Sequence, residues 1–335
     1  MREEWIYRIA LTWANKTRLR GIRQALEQYG SATEVARVRP ELVTHEAVLF
    51  ASKELEFIEK HQIKTYFYKD ENYPYRLTHC VDAPLILYAK GNVDVNPKHV
   101  VSVVGTRMPS ERGKDWCRRF ILDLAAKVPE VTIVSGLAYG IDVIAHKAAM
   151  ESGISTIIIP AHGLDRIYPS VHRSVAIQAL DKGGILTEYT RETEPERFNF
   201  VARNRIVAGM ADAVVVVESK KKGGSLITAD MAVDYGRDVF AVPGRVDDIC
   251  SAGCNDLIKR NKAQLIDCAD DLIAAMQWQE ESKEPIQTCF VEMMYDLTDN
   301  QQRLLQLLRE TEDGLHINQL VMETQLAYNI VSSEL

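Results

Sequence analysis

The sequence predicts an α/β protein with a parallel sheet at its centre and helical regions before and after it. Three observations predict this. Between Lys98 and about residue 276, short apolar runs alternate with stretches of helical spacing. Residues 1–68 show helical spacing, and a polar stretch at 280–287 containing Pro285 separates a last set of short helices. Fully apolar strands alternating with amphipathic helices imply a parallel sheet covered on both faces.

In the first region Leu19, Ile22, Leu26 and Tyr29 fall on one helical face, and Leu49, Leu55 and Ile58 continue the pattern. The first central strand is Val100–Val104, which ends at Gly105. Trp116, Phe120, Ile121 and Leu124 then mark a helix face. Further buried strands are expected at Val131–Ser135, Ser155–Ile159, Ile185–Glu188, Ala213–Val217 and Val239–Val242. After a linker at 280–295, Thr298 with Gln301 three residues on makes a capping box. Leu304, Leu305, Leu307 and Leu308 supply an apolar face, and helices follow at Ile317–Glu323 and Ala327–Leu335. Three short helices at this spacing predict the start of a winged-helix module, and the sequence ends before a β wing, so an incomplete (truncated) module is expected over 296–335.

Composition narrows the function. With 46% hydrophobic and 26% charged residues, the 335-residue chain has ordinary globular values and room for two or three domains. No apolar run approaches the roughly 20 residues that span a bilayer. The charged start MREEWIYRIALTW lacks a secretory pattern, so a cytoplasmic protein with no membrane association is expected. The six cysteines form no CxxC pair, so neither a metal site nor a disulfide framework is expected, and no cofactor is called for. The net charge of −7 is unevenly spread: residues 280–335 hold eleven acids and three bases, a balance of −8, so the rest sums to +1. The larger part is therefore free to carry basic patches.

Glycine-rich loops follow successive strands: Gly105-Thr106-Arg107, Ser135-Gly136-Leu137-Ala138-Tyr139-Gly140, Ala161-His162-Gly163 and Gly223-Gly224-Ser225. Ligands of open parallel sheets sit beyond the carboxyl ends of the strands, and backbone N–H groups at helix starts favour phosphate oxygens. A phosphate-binding cleft is the expectation. Between Arg197 and Gly224 there are six bases and two acids, a local balance of +4. If 199–209 is helical, Arg203 and Arg205 point about 200° apart, so one faces the cleft and the other makes an ion pair; Arg203 is assigned to the ligand. Phe198 and Phe200, beside these arginines, are read as core packing in preference to base-stacking. Asp142 and His146, four apart on one helix, are read as structural, and His162 and His172 as surface or loop residues. The run Lys220-Lys221-Lys222 is either a solvated loop or part of the cleft.

In this order the motifs resemble the DprA/Smf family. They are Tyr73-Pro74, Leu77, Asp82-Ala83-Pro84, Leu87 and Gly91; Val103-Val104-Gly105-Thr106-Arg107; Ser135-Gly136-Leu137-Ala138 with Gly140-Ile141-Asp142 and His146; and Gly163-Leu164-Asp165 with Tyr168-Pro169. Arg203-Asn204-Arg205-Ile206, Gly224-Ser225-Leu226-Ile227-Thr228-Ala229, Pro243-Gly244 and Gly253-Cys254-Asn255 complete the set. The resemblance implies an extended Rossmann-like core over 69–279 that binds single-stranded DNA, an N-terminal SAM-like domain and a winged-helix tail. It implies a homodimer that protects DNA and helps load the RecA recombinase in natural transformation, and a binding protein in place of an enzyme. The DNA-binding residues it implies, together with the loop reading, are Gly105, Thr106, Arg107, Ser135, Gly136, Arg203, Asn204, Arg205, Lys222, Gly224, Ser225 and Thr228. The chain departs from the family pattern at His162 and His172, where Cys and Asn are usual, and at Lys262-Ala263, where Gly-Ala is. A second reading, a phosphoribohydrolase-like enzyme that binds nucleotides, matches less well: Asn204 stands where that chemistry uses lysine, and the acid nearest the glycine turn is Asp230.

Overall fold

The computed structural model describes residues 2–15, 19–278, 297–309 and 315–334. Met1–Trp278 form one compact unit and Gln279–Leu335 a second. Among the described residues the first unit holds one nine-stranded sheet, in the order β1-β2-β6-β5-β4-β3-β7-β8-β9. The strands are β1 (Lys64–Phe67), β2 (Ile86–Gly91), β3 (His99–Val104), β4 (Val131–Ser135), β5 (Ser155–Ile158), β6 (Gly184–Thr187), β7 (Ala213–Val216), β8 (Asp238–Ala241) and β9 (Gln264–Leu265). From β6 across to β9 all pairings are parallel; β1–β2 and β2–β6 are antiparallel.

The α/β, mostly parallel architecture is as the apolar runs predict, and all six expected strands form within a residue of their expected ends. The antiparallel pair β1–β2 and the two-residue β9 extend it. The chain leaves β3 toward β4 and later returns to its other side as β7. The sheet therefore reverses its order of addition between β3 and β7, which is where open α/β sheets open a crevice.

Alternate residues of each strand feed two cores. On one face Val100, Val104, Val214 and Val216 pack with Ile206 and Val207 of α9 (Arg197–Gly209), Met210 at its C-cap, and Ala229 and Ala232 of α10 (Gly224–Asp234). On the other, Val101, Val103, Ile133 and Val215 pack with Phe120, Ile121 and Leu124 of α6 (Glu111–Lys127) and Ala145, Ala148 and Ala149 of α7 (Ile141–Glu151). Helix α6 starts where the Ser110 Oγ accepts the Gly113 N–H at 3.0 Å, satisfying a first-turn donor.

The N-terminal helices α1 (Arg2–Ala14), α2 (Leu19–Tyr29), α3 (Ala32–Val38) and α4 (His45–Lys60) enclose a third core. Ile9, Leu11, Ile22, Leu26, Val35, Leu55 and Ile58 there meet Phe67, Ile86 and Tyr88 of β1 and β2. Leu49 departs from the predicted face: it is 52% exposed, because the buried stripe of α4 runs through Ala47, Ala51, Leu55 and Ile58. The remaining helices of this unit are α5 (Tyr75–Thr78), α8 (Arg173–Gln178), α11 (Ala252–Lys259) and α12 (Ala269–Ala275).

In the second unit, α13 (Asp299–Arg309), α14 (Ile317–Thr324) and α15 (Tyr328–Glu334) surround Leu304, Leu320 and Val331. The capping box forms: the Thr298 N–H donates to the Gln301 Oε1 at 3.0 Å and the Gln301 N–H to the Thr298 Oγ1 at 3.3 Å. The expected linker at 280–295 lies outside the described residues.

Candidate nucleic-acid interface

The glycine loops are joined by their own backbones. After β3, the Thr106 N–H donates to the carbonyl of Glu218, beyond β7, at 2.8 Å, and the Thr106 carbonyl accepts the Ile141 N–H at 3.3 Å. The loops after β3, β4 and β7 therefore form one surface over the crevice. Gly140 has φ +80°, and a Cβ there would lie 2.3 Å from the Thr106 carbonyl oxygen, so both conformation and space demand glycine. The Thr106 Oγ1 accepts the Met108 N–H at 3.3 Å, shaping the turn that lifts Arg107 out to solvent.

Arg107 is exposed, and its guanidinium carbon lies 5.4 Å from the centroid of the Phe200 ring. Phe200 in turn meets Tyr168 edge-on at 6.0 Å. Phe198, two residues earlier in the first turn of α9, is 77% exposed. The core-packing reading of these two phenylalanines is thus corrected: the first turn of α9 stands clear of the sheet, so Phe198 has no core to enter and Phe200 packs beneath Arg107. Tyr139, in the loop after β4, is exposed and lies edge-on to His172 at 5.0 Å. The sequence reading missed Tyr139 and Tyr168 as ring positions. The one signal available was their place inside or beside glycine loops.

Across the crevice Lys220, Lys221 and Lys222 are exposed, and α10 opens at exposed Gly224 with no side chain capping it. First-turn N–H groups without a cap carry the positive end of the helix dipole. Ser225 and Thr228 lie behind them, both buried; the Ser225 Oγ donates to the Ser219 Oγ at 2.9 Å. Arg107, Lys222 and Gly224 are thus at the surface, Gly105, Thr106 and Asn204 half-buried, and Ser135, Gly136, Ser225 and Thr228 enclosed.

The expectation that Arg203 faces the cleft is corrected by its burial. It is 3% exposed, and its Nη1 donates to the carbonyl of Gly136 at 2.7 Å and to that of Ile159. A Cβ on Gly136 would lie 2.2 Å from that nitrogen, so the glycine makes room for the guanidinium. Burial pushes the Arg203 pKa down, and the charge of Asp142 opposes the shift. Arg203 thus ties together the loops after β4 and β5 from below. Arg205, on the other side of α9, pairs with the half-buried Glu188 carboxylate; desolvation raises the Glu188 pKa against the pull of Arg205.

Asp142 also works on the loop after β4. Its carboxylate accepts the Ala138 N–H at 3.3 Å. Gly136, assigned to a phosphate by the loop reading, is itself enclosed, with the Arg203 guanidinium packed against it. Burial raises the Asp142 pKa, opposed first by the charge of Arg203 and then by the polar groups of the loop. Ser135 is likewise internal: its Oγ donates to the Val103 carbonyl at 2.7 Å. His146 does not bond to Asp142; its Nδ1 meets the Thr156 Oγ1 at 2.7 Å, and burial drops its pKa to about 3.

His162 lies in a loop, as expected, and His172 in a short turn, but both side chains are buried rather than at the surface. The His162 Nε2 accepts the Tyr168 N–H at 3.0 Å, and the His172 Nδ1 lies 2.9 Å from the Leu137 carbonyl. His162 and His172 therefore fasten the loops that present Tyr168 and Tyr139. Asp230, the acid of the enzyme reading, pairs with Lys262 at 2.6 Å. A cavity of about 740 Å³ opens elsewhere, between α2 and the turn at 78–81, and does not include any of these residues.

Comparison with known proteins points the same way. Residues 64–277 match the family described as DNA recombination-mediator protein A. The DNA processing protein DprA of Streptococcus pneumoniae is 40% identical over 209 residues, 62% of this chain and 73% of that protein. The X-ray structure of DprA from the same species superposes with a TM-score of 0.68 at 32% identity, covering 80% of this chain and 96% of the other. DNA processing protein A of Helicobacter pylori, whose structure was determined for its single-stranded DNA binding mode, superposes with a TM-score of 0.58 at 32% identity, covering 65% of this chain and 96% of the other.

Proposed function

The chain belongs to the DNA recombination-mediator protein A family, and from that premise we propose that it binds single-stranded DNA along the trough between the loops after β3, β4 and β7. Arg107 takes a phosphate through its guanidinium fork. Lys220–Lys222 and the uncapped start of α10 hold the backbone on the other side of the crevice. Phe198, Phe200 and Tyr168 offer ring faces and edges to unstacked bases, which every base can use, so binding tolerates sequence. Arg203, Arg205 and Asp142 act from beneath, by fixing the loops. The observation that carries this reading is Arg107: the arginine after the first parallel strand stands in solvent at the crevice, laid against an aromatic ring.

The same premise extends to partners and setting. The protein acts as a homodimer in the cytoplasm, protects incoming single strands and helps load the RecA recombinase on them in natural transformation, without catalysing a reaction of its own. The C-terminal unit, with its acidic balance, serves protein docking and avoids phosphate contact.

Oligonucleotide titration of the wild type and Arg107→Ala across a salt series tests the assignment. Loss of a charge-assisted phosphate contact should weaken binding about tenfold or more. It should also reduce the slope of log K against log salt by about 0.7, the value for one single-strand phosphate. An Arg107→Ala protein with unchanged affinity and slope would overturn it.

A further inference from the structure

We infer that Glu54, on helix α4 of the N-terminal region, positions the aromatic end of the trough by holding the segment between β6 and α9. This rests on the binding reading above and adds to it a residue far from the glycine loops in sequence.

Glu54 is 2% exposed, and its only charged contact among the described residues is Arg191. The Arg191 backbone N–H donates to the Glu54 Oε1 at 3.0 Å, and the Arg191 Nε lies 3.0 Å from the Oε2. The same guanidinium lies 5.9 Å from the Phe57 ring, also on α4. Arg191 belongs to a segment, 189–196, that is tied onward to the first turn of α9. The Tyr189 hydroxyl donates to the Asn199 carbonyl at 3.1 Å, and the Asn199 Nδ2 donates to the Glu194 carbonyl at 2.9 Å. Asn199 sits between Phe198 and Phe200. The segment is therefore held by Glu54 at Arg191 and by Asn199, next in sequence to both rings, at its junction with α9.

Burying a carboxylate is costly, and a buried ion pair contributes little net stability compared with apolar packing; its better-attested use is to specify one arrangement. Here the arrangement specified is the approach of the 189–196 segment, and with it the direction in which α9 presents Phe198 and Phe200. Glu54 is thus a positioning residue. It reaches the DNA only through the rings that it aims.

The test compares binding of an oligothymidine with binding of an abasic deoxyribose-phosphate strand of equal length. The wild type should prefer the base-bearing strand by about tenfold, the value of one stacked base. Glu54→Gln should lose most of that preference, while its affinity for the abasic strand stays within about twofold, since no phosphate contact is touched. If Glu54→Gln does not fold, Glu54→Met with Arg191→Met removes the pair without leaving a buried charge, and the same selective loss is required of it. An equal fall for both strands would show a merely structural role and overturn the inference, as would no change for either. A wild type that binds both strands equally would instead remove the stacking part of the proposed function, and the inference with it. In that case Arg107→Ala still reports separately on the phosphate side.

Discussion

At the rim of the trough, Arg107 and Lys220–Lys222 face solvent with no ion-pair partner among the described residues. At its floor, Arg203 and Arg205 are enclosed, one bonded to two loop carbonyls, the other to Glu188. The two layers contain the same residue type within a short distance, yet their chemistry is opposed. A guanidinium in water keeps its donors for a ligand. One without water must spend them on the protein, because an unpaired buried charge is costly. The comparison separates residues that contact a strand from residues that give the contacting loops their shape.

The sharpest way to break this comparison is to treat Arg203 as a rim residue. Arg203→Met should destabilise the fold by about 3–5 kcal/mol, since it leaves the Gly136 and Ile159 carbonyls without their donor and removes the charge that favours ionised Asp142. Denaturant unfolding measures this; a stable variant with a selective DNA-binding defect would move Arg203 to the rim.

The next effect concerns His146, another enclosed group. Its pKa drops to about 3 in the fold from an ordinary 6.5, because burial disfavours the charged form. Between those values only the unfolded chain takes up the proton. The stability it contributes is complete above pH 6.5 and is lost as the pH falls toward 3, at up to ~1.4 kcal/mol per pH unit. Relative to the wild type, His146→Gln should flatten the fall in unfolding free energy between pH 7 and pH 4, read by urea titration at each pH. Parallel curves for the two proteins would contradict the burial argument.

The smallest effect belongs to a single rim lysine. Lys222→Ala should leave stability unchanged and weaken single-strand binding by about two- to threefold, an effect that fades in high salt. A loss equal to that of Arg107→Ala would mean that the rim is a built site centred on the lysine run.

Much of the fold was legible because the central strands are buried on both faces. Ala213–Val217 is apolar throughout, Val100–Val104 is broken only by Ser102, and Val131–Ser135 only by Thr132 and Ser135; short β-branched runs of this kind, bounded by turns, suit strands covered on both faces. The strands at the sheet margins were not legible. β9 is two exposed residues, and β1 is four residues with one buried end, too little for a period to show. β2, though apolar over Ile86–Ala89, was not among the expected strands, and its antiparallel direction depends on its neighbour β6. In the site, the glycine loops announced their places, since each follows an apolar run. Neither the enclosure of Gly136 by Arg203 nor the exposure of Phe198 could be read, because both depend on what other parts of the chain cover.

By itself, then, the sequence determined where strands end and where tight turns begin, for apolar runs and glycines are local facts about solvation and backbone freedom. It also determined that Arg203 and Arg205 must diverge, which follows from 100° per helical residue. Only the tertiary structure decided that both of them bond within the protein while Arg107 stands in solvent. Burial belongs to the packing of α9 against the loops after β4 and β5, and helical spacing is blind to which face of a helix another part of the chain will cover.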